Sequence, residues 1–303
     1  MTAAAPPVRG RAARRIPAGA GLLLLASAAF HTAVLVLDGG PWDGPVSLRK
    51  PITFGLSFGI SVLTVTWICR LLPLAARTRA LLLGAFTAAS LLETGLITLQ
   101  AWRGVPSHFN TETTFDTLVT RALAAGGVTL VAVVVALTVA ALRPAPGVDP
   151  GMRLALRGGL VALTASMAAG AVMIAYGLTL EGAGRAAEAY RSAGFLRPAH
   201  AVTMHAVLLL PALAWLLSRT RRPEAERLRL IRLTVAAYGA LAALVTAAAA
   251  AGLTFASSAT TAAVSAGVTM LPAGAALSVH KPWGRTRRSP ARSADGPSPK
   301  AEV

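Results

Sequence analysis

Apolar runs long enough to cross a bilayer recur along this chain almost from end to end, and they leave it few ways to fold. They cover residues 18–37, 51–72, 80–102, 118–142, 158–180, 199–218, 233–255 and 260–279, and each carries at most one charged side chain. About 20 such residues in a helix match the hydrocarbon thickness of a membrane. Hydrocarbon offers no partner to a peptide N–H or C=O, so a spanning segment of this kind satisfies its backbone as a helix. Composition agrees. The 303 residues are 54% hydrophobic and only 14% charged, against about 25% charged in ordinary soluble domains. No polar stretch is long enough for a separate soluble domain. The expected fold is all-α, a polytopic transmembrane helical bundle of about eight spans.

Three regions follow from this. Residues 1–17 form a basic N-terminal segment with Arg9, Arg11, Arg14 and Arg15. Residues 18–280 form the transmembrane domain, and residues 281–303 a basic tail rich in Ser, Pro and Arg, expected to be disordered. A cleaved signal peptide is the competing reading of the first run, because Ala26-Ser27-Ala28 resembles a small-residue cleavage site. The run continues to Leu37, however, which suits an uncleaved span. When the loops are assigned alternately to two sides, the N-terminal arginines, Arg70, Arg77, Arg79, Arg143, Arg153, Arg157, the cluster between Arg219 and Arg232, and the tail all share one side. The whole excess of +17 falls on that face. Cytoplasmic loops carry the Lys/Arg excess in membrane proteins, so both termini are expected in the cytoplasm and the protein in the plasma membrane. The same distribution accounts for the high charge without nucleic acid; the partner it implies is the lipid bilayer. Other protein partners are not indicated.

One stretch stands apart, Leu92 to Asn110. It places Glu93 inside an apolar run and then Gln100, Trp102, Arg103, Ser107, His108 and Asn110 at the outer end. An acidic side chain at a bilayer centre costs about 2.5–3.5 kcal/mol on insertion scales, so it has a partner or a task. Thr87, Ser90, Glu93, Ile97 and Gln100 follow helical spacing, which puts Glu93 on a polar stripe. Thr53, Ser57, Ser61 and Thr64 form a hydroxyl stripe on the second span, and Gly55 and Gly59 give that span a close-packing face. Arg121, on the fourth span, is either an ion-pair partner for Glu93 or a snorkelling cation. Arg49-Lys50-Pro51 opens the second span on the outer side, as anchors or as a mouth that attracts anions. Trp42, Trp102 and Trp215 sit near span ends, as interfacial tryptophans do. These residues together outline an outward-facing polar site of Glu93, Gln100, Arg103, Ser107, His108, Asn110 and Arg121.

Histidines add a second theme. His31, His200 and His205 lie within spans toward the same outer side. Imidazole is the commonest metal ligand, and two histidines on different helices can hold a haem axially. Haem or a divalent metal is therefore the cofactor class to consider. His200 and His205 are five residues apart, about 140° around a regular helix, so they do not ligate one ion from it. A metal hydrolase needs three ligands around a bound water, which this spacing disfavours. Ser107 and His108 are adjacent in sequence, which does not by itself orient a base toward a nucleophile. Cys69, the single cysteine, reads as a small packing residue. No phosphate-binding glycine loop, thiolate zinc pattern or His-Glu-x-x-His motif is present.

Three motifs occur together: Lys50-Pro51-Ile52 with Phe54, Leu56 and Ser57; Gln100-Ala101-Trp102-Arg103-Gly104-Val105-Pro106-Ser107-His108-Phe109-Asn110; and His200 and His205 followed by Pro211. In these, over about the first two-thirds of its length, the chain resembles a widespread group of bacterial multi-pass membrane proteins. That resemblance implies a membrane bundle and brings no activity with it. Three functional readings stay open: a haem- or metal-binding membrane protein, a proton- or ion-coupled transporter using Glu93, and a structural or assembly protein with no ligand. An enzymatic role is the less favoured reading.

Overall fold

The computed structural model describes residues 9–185, 188–189 and 192–253, with side chains from Arg15 onward. Among them it holds seven helices of transmembrane length: α1 (Arg9–Asp38), α2 (Arg49–Ile68), α3 (Ala76–Trp102), α4 (Thr114–Leu142), α5 (Pro150–Gly182), α6 (Arg197–Ser218) and α7 (Glu224–Ala250). A short 3-10 turn, Ala193–Leu196, leads into α6. All seven are long and apolar enough to cross a membrane, and the described residues contain no strand. The expected eighth span, residues 260–279, and the tail lie outside the described residues.

Helix ends depart from the limits that hydropathy alone suggests, and side-chain caps mark the starts of α4 and α5. Five of the seven begin four or more residues before the apolar run, in polar flanks that tolerate helix. Asp149 caps α5 by accepting from Met152 N, with Pro150 at the first helical position, where a missing N–H costs nothing. Thr113 caps α4 by accepting from Asp116 N. Glu224 and Glu226 occupy the first turn of α7, complementing its positive dipole end. The second span ends at Ile68 rather than Leu72, in a turn that buries Cys69. Burial pushes the Cys69 thiol up to about 11, so it packs as an inert apolar group, as expected of it.

A continuous core runs from Leu24 of α1 through Val62, Val134, Leu160 and Val207 to Val245 of α7. Large apolar side chains also lie bare on the outer faces, among them Leu22, Leu81, Val128, Val161 and Leu244. Water would penalise such a surface, whereas lipid accepts it. The protein is accordingly a multi-pass helical membrane protein.

Close helix contacts occur where the small residues are. The expected close-packing face of α2 is real: a Cβ on Gly55 would meet Leu24 O of α1 at 2.9 Å, and one on Gly59 would meet Gly21 O at 3.0 Å. Between α5 and α6, a Cβ on Gly159 would come within 2.9 Å of Val207 Cα. The hydroxyl stripe of α2, by contrast, is half-buried rather than central; the buried face holds Ile52, Gly55, Gly59 and Val62. Gly55→Ala is therefore expected to lower the thermal midpoint in detergent, since overpacking against backbone costs about 1–3 kcal/mol. Gly95→Ala on α3, where a Cβ meets nothing within 4 Å, leaves the midpoint unchanged or raises it. Equal behaviour of the two variants would refute the close-contact reading.

Candidate functional site

At its C-terminal end, α3 closes with Gly104 at φ +69°, and Gly104 N and Val105 N donate to Ala101 O and Gln100 O. This pair of bonds is the Schellman arrangement, in which a left-handed glycine caps the last carbonyls. The chain then runs through the Ser107–Asn110 loop into α4. Asp116, in the first turn of α4, gathers the residues around it. Its Oδ1 accepts from Gln100 Nε2 at 2.9 Å and from Arg103 Nη1 at 2.5 Å, and its Oδ2 accepts from Thr113 Oγ1 at 2.6 Å. Arg103 also donates to Gln100 Oε1 and lies over the Phe115 ring at 4.7 Å. Gln100 and Arg103, both expected at the site, are thus joined by a carboxylate outside the expected set. The Thr113-x-x-Asp116 spacing of a capping box was the signal available for it.

The loop itself is pinned from several sides. Asn110 Nδ2 donates to Pro106 O, its Oδ1 accepts from Glu112 N, and its carbonyl accepts from Thr120 Oγ1 of α4. Phe109 has φ +53°, an uncommon conformation for an aromatic residue, and its ring packs where a Cβ on Gly177 of α5 would stand. Ser107 Oγ accepts from Lys50 Nζ at 3.2 Å and lies 2.9 Å from His108 Nδ1. Adjacency in sequence does here bring imidazole to hydroxyl. Burial and the neighbouring Lys50 ammonium push the His108 imidazole down to about 3, far below the range of a useful general base. Lys50, Ser107, His108 and Phe54, whose ring lies 6.5 Å from the imidazole, make a shaped polar wall rather than a nucleophilic site.

Glu93 lies deeper, about 13 Å below the end of α3 at 1.5 Å per residue. It is 5% exposed, and its Oε1 sits against Gly126 of α4, only 2.6 Å from where a Cβ would stand, with Gly127 beside it. Two glycines on α4 thus form the notch that admits the carboxyl group. Among the described residues no Lys or Arg stands within ion-pair distance of it. Arg121 is on the exposed face of α4 and does not pair with Glu93. The polar stripe of α3 is buried as expected: Thr87, Ser90, Glu93, Ile97 and Gln100 all face the interior. Thr87 and Ser90 donate to the carbonyls of Leu83 and Phe86 one turn back, whereas the Thr94 and Thr98 hydroxyls are buried without a partner.

The histidines are held apart. His31 Nδ1 meets Ser27 O at 2.7 Å, which fixes the proton there, and Nε2 accepts from Trp102 Nε1 at 3.0 Å. Both ring nitrogens are engaged: Nδ1 within α1, and Nε2 in the bond that joins α1 to α3. His200 Nδ1 meets Ser166 O at 2.8 Å and Ser166 Oγ at 3.0 Å, joining α6 to α5. His205 is exposed on α6, its Nδ1 bonded to Ala201 O. Among the described residues no group of three or more His, Cys, Asp or Glu is placed to hold a metal ion. The expected haem or metal set of His31, His200 and His205 does not fit such a group: His31 has no free lone pair to offer, and His205 faces away from the bundle. Set against known protein families, curated proteins and solved structures, the chain matches none.

Proposed function

We propose that this is a multi-pass protein of the plasma membrane, with its N-terminus in the cytoplasm, that links binding of a small solute near its outer end to protonation of Glu93. The single observation behind this reading is the Glu93 carboxyl group, buried in the glycine notch of α4 without a cation to pair with. An intramembrane carboxylate of that kind is expensive, and proteins that keep one use it in proton or ion pathways. Glu93 shares one face of α3 with Gln100, two turns nearer the outside, and Gln100 contacts Asp116 and Arg103 at the rim. In this reading Glu93 is the proton site, lying beneath the Gln100–Asp116–Arg103 rim and its pinned loop, with Ile97, Val119 and Leu123 packed between the two levels.

Proteoliposomes with an internal pH-sensitive dye test the reading. Under an acid-outside gradient, a panel of small solutes is expected to include one that speeds internal acidification in the native protein, and Glu93→Gln abolishes that response. Infrared difference spectra after a pH jump give a readout that needs no solute: a carboxyl C=O band is expected that disappears in Glu93→Gln. A difference spectrum identical in the two proteins would sink the assignment.

A further inference from the structure

A groove of about 630 Å³ runs between α5, α6 and α7, and its walls are almost entirely apolar. Gly158, Ala162 and Ala165 of α5 face Gly239, Ala243 and Ala247 of α7 across it. Ile231, Thr234, Tyr238, Ala242, Val245 and Ala249 make the buried stripe of α7, and Gly239, Ala243, Ala247 and Ala250 lie beside it on the groove side, exposed. Elsewhere the bare surface of the spans carries bulky Leu and Val. Helices in a membrane approach each other closely where residues are small, so this surface is shaped for a helix.

We propose that the groove is the seat of residues 260–279 of the same chain, which return across the membrane as a helix antiparallel to α7. Three observations select that occupant. The first is where α7 ends. Gly252, at φ +69°, donates to Ala249 O, and Leu253 N donates to Ala248 O, a Schellman cap that stops the helix and turns the chain. The segment leaves from the end of the groove that Ala250 lines, and residues 254–259 reach up to about 20 Å, ample for a reversal. The second is composition: residues 260–279 carry no charge, and half are Ala, Gly or Ser, including Ala263, Ala266, Gly267 and Gly274. The third is charge beyond the groove. Lys281, Arg285, Arg287, Arg288, Arg292 and Lys300 follow the segment, and such a cluster belongs on the side where α7 begins, beside Arg227, Arg229 and Arg232. Reaching that side requires the crossing.

Groove length fits as well. From Val235 to Ala250 the lining of α7 spans about 22 Å at 1.5 Å per residue, so a 20-residue helix covers it. This inference is independent of any role for Glu93.

Disulfide scanning in native membranes tests the assignment. In a Cys69→Ala background, Ala165→Cys is paired in turn with Ala266→Cys, Gly267→Cys, Val268→Cys, Thr269→Cys and Met270→Cys under mild oxidation. Gly158→Cys with Val235→Cys is the positive control, since a Cβ on Gly158 would stand 3.1 Å from Val235 Cγ1 between α5 and α7. Cross-linking within one chain is expected at one or two positions three or four apart, with the intervening ones unreactive. Disulfides only between chains would overturn the proposal in favour of a second copy in the groove. A control pair that closes while none of the five does would overturn it in favour of lipid. Equal reaction at all five positions would also overturn it, as the signature of an undocked segment.

Discussion

Asp116→Ala is expected to destabilise the α3–α4 end of the bundle more than any other single side-chain truncation there, lowering the thermal midpoint in detergent by several degrees. The reason lies in how many groups depend on one carboxylate. Gln100 is fully buried, and without Asp116 its amide loses its partner at 2.9 Å. Arg103 loses an ion pair at 2.5 Å, and Thr113 loses the acceptor of its hydroxyl. Removing one member of a buried polar network leaves the others desolvated and unpaired, which costs more than the net worth of the bonds themselves. The Arg103 side chain is 35% exposed, so it recovers part of its loss in water; Gln100 cannot. A double-mutant cycle in the same detergent separates network from bystander. Arg103→Ala with Asp116→Ala should cost clearly less than the two single losses added together, as coupled neighbours do. Strict additivity would mean that Arg103 and Asp116 do not act as a unit.

This network also shows what a sequence reading can reach. The stripe from Thr87 to Gln100 was legible because helical periodicity is written directly in the chain, and all its members are buried. Close packing at Gly55 and Gly59 was legible for the same reason. Helix ends were less so, because hydropathy reports the thickness of hydrocarbon while Thr113, Asp149 and Gly252 set where a helix starts or stops. Asp116 is not legible in this way, because it stands outside the apolar runs, where a carboxylate is ordinary. The partners of the histidines were beyond reach altogether. Trp102 and His31 are 71 residues apart, and nothing in either local sequence announces the other. Their pairing is a product of how α1 and α3 cross, as is the notch that Gly126 and Gly127 offer Glu93. A buried imidazole with both ring nitrogens bonded looks, in sequence, identical to a metal ligand.

Acid should weaken the fold through His108, and the sign follows from its surroundings. The imidazole lies in the α3–α4 loop beside Phe54 and Phe109, within reach of the Lys50 charge, and titrates at about 3 instead of 6.5. In the unfolded chain it takes up a proton near 6.5. Between these values the unfolded state binds more protons than the folded one, so stability falls as pH falls from 6.5 toward 3 and levels off below. At about 1.36 kcal/mol per pKa unit, the gap between 6.5 and 3 sets a ceiling of about 5 kcal/mol on the loss. His108→Gln keeps a hydrogen-bonding side chain for Ser107 and carries no titrating proton. Thermal midpoints measured from pH 7 down to pH 4 should fall for both proteins, as their carboxylates begin to protonate, but distinctly less for the variant. The difference between the two curves should be absent above pH 7 and grow steadily below 6.5. Parallel curves would mean that the imidazole is wet and free to protonate, and that the wall formed by Lys50, Ser107 and His108 opens to water.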